Sequence, residues 1–257
     1  MFPAVAPLLA RLAIFFVAGL AAGISNGIAG GGTFITFPTM MAMGIPALTS
    51  NVSGSVGIVT STVGGLRSFR WDLSSQKAVV LSLLPSCILG TATGCTLLLV
   101  GSPNTFRSVI PWLIGAGTVL FACSPLITKR LAHLDQDHTS RKVILYGGIF
   151  FVSVYGGYFG AGMGVLLLAV MAISLPYDIK ELQGIRYLIA LVINISAALI
   201  FVIRGHLNND AVVMILFGAL IGGYLGARLI KRLSPTMVRV LVVLVGLITT
   251  VHLFLTA

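Results

Sequence analysis

The chain has 257 residues, 57% of them hydrophobic and only 9% charged, with a mean hydropathy of +1.07. Soluble domains carry about 25% charged residues, so this composition excludes an ordinary soluble fold and predicts an all-α polytopic membrane protein. The 16 Lys and Arg outnumber the 6 Asp and Glu, for a net charge of +10, but they fall between apolar runs, which is cytoplasmic anchoring and not a nucleic-acid surface.

Arg11 is the only basic residue ahead of the first apolar run. Without the basic lead of a cleaved signal, Leu8–Leu20 is expected to belong to the mature protein. Residues 12–66 contain no Asp, Glu, Lys or Arg. Pro46 divides this block, because proline ends or begins helices. Residues 12–44 are too long for one ordinary crossing of about 20 residues and too short for two. Near their middle stands Gly27-Ile28-Ala29-Gly30-Gly31-Gly32. Glycine permits tight reversals, and non-helical backbone at membrane depth must be buried in protein or line a cavity. The predicted element is a hairpin of two short or tilted helices, the second starting near Thr33. Blocks 78–106 and 108–128 are one span each. The polar linker 129–142 holds Lys129, Arg130, Arg141 and Lys142. Residues 143–177 are again charge-free, with Gly156-Gly157-Tyr158-Phe159-Gly160-Ala161-Gly162-Met163-Gly164 before Pro176. They predict a second glycine-broken hairpin, its second helix starting near Val165. Blocks 187–203, 211–227 and 240–257 supply the remaining spans.

These elements repeat. Gly30 and Gly32 match Gly162 and Gly164 at an offset of 132 (162 − 30). Gly90 and Gly94 match Gly222 and Gly226, and Ser102, Pro103 and Arg107 match Ser234, Pro235 and Arg239, at the same offset. Between them the register drifts by two, pairing Arg70 with Arg204. Duplication divides the chain into a first transmembrane repeat (1–128), a linker (129–142) and a second repeat (143–257). If both hairpins form, the positive-inside rule places the linker, residues 228–239 and Arg67, Arg70 and Lys77 in the cytoplasm. Both termini are then external. Each half has five helices, an odd number, so the halves form an inverted repeat. Arg11, Arg107 and Arg204 fall on the outer face, against the rule.

In an inverted repeat with broken helices, half-helix N-termini point inward and suit an anion. The candidate substrate-binding residues are Asn26, Gly30, Gly31, Gly32 and Thr33 at the first turn and Gly160, Gly162 and Gly164 at the second. Ser25, Tyr155, Tyr158 and Phe159 lie nearby. The polar run after Pro46 adds Ser50 and Asn51, and its counterpart adds Gln183 and Arg186, with Asn51 and Gln183 one offset apart. Polar groups inside a membrane usually face a cavity or a partner. Arg186 is the strongest anion contact, since guanidinium binds oxyanions in a bidentate fork; the competing role is a pair with Glu181 or Asp178. Asn194 and Ser196 are placed as bonds to neighbouring helices.

Other signals carry little. Cys87, Cys95 and Cys123 sit in apolar runs with no CxxC pair, as packing residues do. His133 and His138 with Asp135 and Asp137 make no convincing metal site. His206 sits in a short polar loop. Gly54-Ser55-Val56-Gly57 has no base at matching depth for a hydrolase. There is no P-loop, and no cofactor or metal is expected.

The motif Gly27-Ile28-Ala29-Gly30-Gly31-Gly32 with Pro38, then Pro46, Thr49-Ser50-Asn51 and the second-half Gly160-x-Gly162-x-Gly164, resembles the TauE/SafE family of membrane permeases over nearly the whole chain. The second half departs from it, with Val170 in the place of Pro38 and Met163 interrupting the triple glycine. The resemblance implies ATP-independent secondary transport, often export, of small sulfur-containing or carboxylate anions such as sulfite, sulfoacetate or other organosulfonates. The expected setting is the cell inner membrane, with a small anion and the lipid bilayer as partners and room for a coupling proton or sodium ion and a homodimer. Import, a passive anion channel and an intramembrane enzyme are the alternatives.

Overall fold

The computed structural model describes residues 8–28, 31–66, 73–131, 138–177, 179–229 and 235–256. Gly30, Arg67, Arg70, Asp178, His133, Lys231 and Arg232 lie outside the described residues, as do the linker positions 132–137.

The described chain is helical, with no strand among the described residues. The first half runs α1 (Leu8–Ile28), α2 (Thr33–Ala42), α3 (Ala47–Gly57), α4 (Val59–Leu66), α5 (Leu73–Val100) and α6 (Pro103–Leu131). The second runs α7 (His138–Tyr158), α8 (Met163–Ser174), α9 (Ile179–Arg204), α10 (Asn209–Leu229) and α11 (Pro235–Thr256). The ends of α6 and α7 extend into the polar segment 129–142. Among the described residues, five helices contain stretches long and apolar enough to cross a membrane: Leu8–Gly27, Gln76–Val100, Pro103–Cys123, Glu181–Arg204 and Asn209–Gly226. Exposed Leu89, Leu97, Phe151, Leu199 and Phe217 cover outward faces, as lipid-facing surfaces require.

Both predicted reversals occur at the glycines. They differ from the expected pair of short arms: each joins a helix of 21 residues to one of 10 or 12. The second short helix starts at Met163, two residues before the expected Val165. α3 begins directly after Pro46, where the missing proline N–H costs nothing. α3 and α4 are separated at Ile58. Ser61 explains the interruption, since its backbone N–H and its hydroxyl both donate to Ile58 O, at 3.0 and 2.6 Å. Side-chain hydroxyls that bond nearby carbonyls compete with helix propagation.

Packing between the halves is reciprocal. α1 lies along α10, and α7 along α5; α2 meets α11, and α8 meets α6; α4 meets α10, and α9 meets α5. The glycines that match at 132 make these approaches. A Cβ on Gly90 or Gly94 would land on the carbonyls of Phe150 or Val154 in α7; one on Gly222 or Gly226 would land on those of Leu20 or Ile24 in α1. Small residues let helices approach closely where no hydrophobic force separates lipid from protein. Gly147 has no atom within 4 Å of such a Cβ. Gly94→Val is therefore expected to cost about 3 kcal/mol or more through overpacking against a backbone that cannot yield. Gly147→Ala is expected to leave the thermal unfolding midpoint in detergent unchanged or slightly raised.

Candidate functional site

The first turn is built around Asn26. Its Oδ1 accepts from Gly31 N at 2.9 Å and from Gly32 N at 2.7 Å, and its Nδ2 donates to Ser61 Oγ at 3.0 Å. Gly31 sits at φ 118°, a conformation that L side chains rarely adopt. A Cβ on Gly32 would press on the Asn26 side chain at 2.9 Å. Two of the donors at the start of α2 are thus already satisfied. The expectation of bare glycine amides facing a solute does not hold for Gly31 and Gly32: the asparagine carbonyl occupies them.

The second turn is tied differently. Phe159 N and Gly160 N both donate to Tyr155 O, and the Tyr155 hydroxyl donates to Ala161 O at 2.6 Å. Gly160 and Gly162 stand at φ 77° and 74°.

Each turn is also held by the opposite half. Asn51 on α3 donates through Nδ2 to Tyr158 O, the last residue of α7, at 2.9 Å. Tyr187 on α9 donates through its hydroxyl to Gly27 O at 2.5 Å and, more weakly, to Asn26 O at 3.3 Å, near the end of α1. These bonds satisfy carbonyls that a helix end leaves open.

Between the two turns lies a cavity of about 50 Å³, room for a few waters or one small solute. α1 and the first turn contribute Asn26, Gly31 and Thr33. α3 and α4 contribute Ser55, Ile58 and Thr62. The second turn contributes Gly156, Phe159, Gly160, Met163 and Gly164, and α9 contributes Arg186, Tyr187, Ala190, Asn194 and Ala197. Of the predicted site residues, Asn26, Gly31, Thr33, Gly160, Gly164 and Arg186 are brought together here. Gly32, Ser50, Asn51, Gly162 and Gln183 do not line the space. Ser50 is buried and donates to Ile45 O. Asn194 does bond a neighbouring helix, through Nδ2 to Thr62 Oγ1 at 3.3 Å, and it also faces the cavity.

Arg186 sets the electrostatics. The residue is 5% exposed, and its Nε has no hydrogen-bond partner. The guanidinium carbon lies 4.6 Å from the centre of the Tyr187 ring, a cation–π contact. A buried charge is costly unless it is paired and hydrogen-bonded. The chemistry such a site offers is electrostatic capture of an anion, with Thr33 and Ser55 as hydroxyl neighbours, since the Tyr187 hydroxyl is committed to the α1 carbonyls. No group of three or more His, Cys, Asp or Glu able to hold a metal occurs among the described residues.

Sequence reasoning missed Ser55, Thr62 and Tyr187 as lining residues and gave Asn194 only a packing role. The signal was present: Arg186, Ala190, Asn194 and Ala197 follow helical spacing on one face, as do Ser55, Ile58 and Thr62.

Helices packed reciprocally, with two glycine-bound reversals around a buried cationic cavity, are the architecture expected of a membrane transporter. A profile of the family described as sulfite exporter TauE/SafE matches residues 15–253, and the chain belongs to that family. A probable membrane transporter protein of Haemophilus influenzae is 25% identical over 246 residues, covering 93% of this chain and 92% of its own. The probable membrane transporter protein YfcA of Escherichia coli K12 is 24% identical, covering 97% and 91%. YdhB of Bacillus subtilis, also a probable membrane transporter protein, is 22% identical, covering 88% and 91%. No solved structure matches the chain.

The Asn26 clasp is open to direct test. Asn26→Ala strips the acceptor from two amides at once, and each buried amide left open costs about 1–3 kcal/mol. The thermal unfolding midpoint in detergent should fall well below that of the wild type, whereas Asn26→Asp, which keeps the acceptors, should recover most of the loss.

Proposed function

We propose that the chain is a secondary transporter of a small sulfur-containing or organic oxyanion, sulfite or a sulfonate, working without ATP by alternating access. The observation that carries this proposal is the buried Arg186 guanidinium, with an unpartnered Nε, facing the cavity between the two turns. A planar fork of donors suits a sulfur oxyanion or a carboxylate. The cavity volume favours a solute of a few heavy atoms over a peptide or lipid. Membership of a family described as sulfite exporters supports the same substrate class.

In this mechanism the anion sits beside Arg186, with the hydroxyls of Thr33 and Ser55 around it. The two hairpins, held by opposite halves through Asn51 and Tyr187, move as the halves rock against each other. The halves are an inverted repeat in the inner membrane, with both termini outside and the 129–142 linker in the cytoplasm. The working unit admits a coupling proton or sodium ion and a homodimer. Export is the natural direction for an uncoupled anion, because an interior-negative voltage drives it outward by about 2.3 kcal/mol per charge per 100 mV.

The enzyme alternative gains little from the geometry. Ser53 Oγ accepts from Asn208 N at 2.9 Å, two residues from His206, but His206 is exposed while Ser53 is buried. That pairing does not provide a base at the depth of a nucleophile.

Arg186→Gln should weaken sulfite binding about ten- to hundredfold, the value of a hydrogen bond to a charged group, and abolish sulfite flux in proteoliposomes. Arg186→Lys should restore only part of it. Anion-dependent thermal stabilisation across sulfite, sulfoacetate, sulfate and acetate measures the binding. Undiminished stabilisation and flux in Arg186→Gln would remove the guanidinium from the site. Asn51→Ala, by contrast, should lower the unfolding midpoint while leaving the midpoint concentration for sulfite within about twofold of wild type, since Asn51 bonds the backbone of α7 and not the cavity.

A further inference from the structure

A second cavity, of about 260 Å³, opens where the C-terminal part of α2, the start of α6 and the last turns of α11 meet. Pro38, Met41, Arg107, Thr249 and His252 are among its walls, and Arg107 is exposed. Between this space and the Arg186 cavity lies a seam with no room for water, bordered by Phe34, Phe37, Ile114 and Phe159. The three spaces are in series. Thr33 and Phe159 border both the Arg186 cavity and the seam, and Pro38 and Thr249 border both the seam and the outer cavity. Aromatic packing closes the seam: the Phe37 and Phe159 rings meet edge to face at 5.6 Å, and Phe34 leans on Phe121 at 6.0 Å.

The geometry points to the outer cavity as a second anion-binding site, an antechamber on the route to the Arg186 cavity, in which Arg107 holds a small oxyanion before the phenylalanine seam opens. This rests on the proposed anion transport for its direction, but not for its charge preference. The Thr249 hydroxyl donates to Val245 O at 2.7 Å, so recognition of negative charge falls to the Arg107 guanidinium, with His252 on another wall of the same space. The antechamber also accounts for a charge that the topology does not. In the proposed topology Arg107 falls on the outer face, where the positive-inside rule disfavours it; at the mouth of an anion route it concentrates substrate instead. Its repeat counterpart Arg239 is half-buried, with Nε unpartnered.

The test is thiol labelling of Thr249→Cys in the full chain, comparing an anionic with a cationic methanethiosulfonate of similar size. The parent chain is the control for Cys123, the native cysteine that is not buried. The anionic reagent should gain an advantage of roughly five- to tenfold that disappears in Arg107→Gln, persists in Arg107→Lys, and shrinks as salt is raised. Sulfoacetate, a sulfonate that unlike sulfite does not attack thiosulfonates or disulfides, should slow the anionic reaction. Labelling that ignores reagent charge, that is unchanged by Arg107→Gln, or that does not occur at all overturns the antechamber, even if sulfite flux is intact. Charge-selective labelling in a protein that neither binds nor carries sulfite would sustain the anion site and sink the proposed transport.

Discussion

A chain that reverses inside a helical membrane protein must find acceptors for its own amides, because lipid offers none. At the first reversal that acceptor is Asn26. Its side chain closes the end of α1 onto the start of α2, and its other end reaches Ser61 on α4. Tyr187 then binds the carbonyls of Asn26 and Gly27 from α9. The same helix carries Arg186, so the bond that fixes the turn also fixes the guanidinium beside it. Removing the asparagine side chain takes away the acceptor that closes the turn, while Tyr187 keeps its backbone carbonyls on α1.

The reciprocity of the packing gives this local device a larger meaning. Each reversal belongs to one half and is tied by a helix of the other: Tyr158 by Asn51, Gly27 by Tyr187. The long helices that flank them approach through glycines, at Gly90 and Gly94 on one side and Gly222 and Gly226 on the other. Movement of one half against the other therefore acts on both turns together. The aromatic seam of Phe34, Phe37 and Phe159 lies at the same junction, since Phe34 follows the first turn and Phe159 is part of the second.

The reversals were legible in the sequence because their cause is local. Gly31, Gly160 and Gly162 adopt left-handed backbone that few other residues tolerate, and their lengthened apolar blocks have no other simple explanation. Arg186 was legible because a guanidinium amid apolar helix is conspicuous. Asn51 and Gln183 do not line the cavity, because an offset of 132 says nothing about depth: each lies one turn before the first lining residue of its stretch, Ser55 or Arg186. Asn51 accordingly reaches the backbone of α7 instead of the cavity. The occupied glycine amides were not legible, because nothing in the sequence says that Asn26 folds forward onto its own turn and not toward a solute. The separation of α3 from α4 at Ile58 depends on Ser61 choosing a carbonyl three residues back, a competition too close for pattern alone to decide.

The site that would hold the proposed anion is defined by one side chain. A structure of the protein determined in the presence of sulfite is the most direct measurement. The account predicts density for the anion between the two glycine turns, at hydrogen-bond distance (about 2.7–3.2 Å) from the Arg186 guanidinium, with Asn26 still clasping Gly31 and Gly32. Sulfite bound only elsewhere, or Arg186 found turned away and paired with a carboxylate, would contradict it.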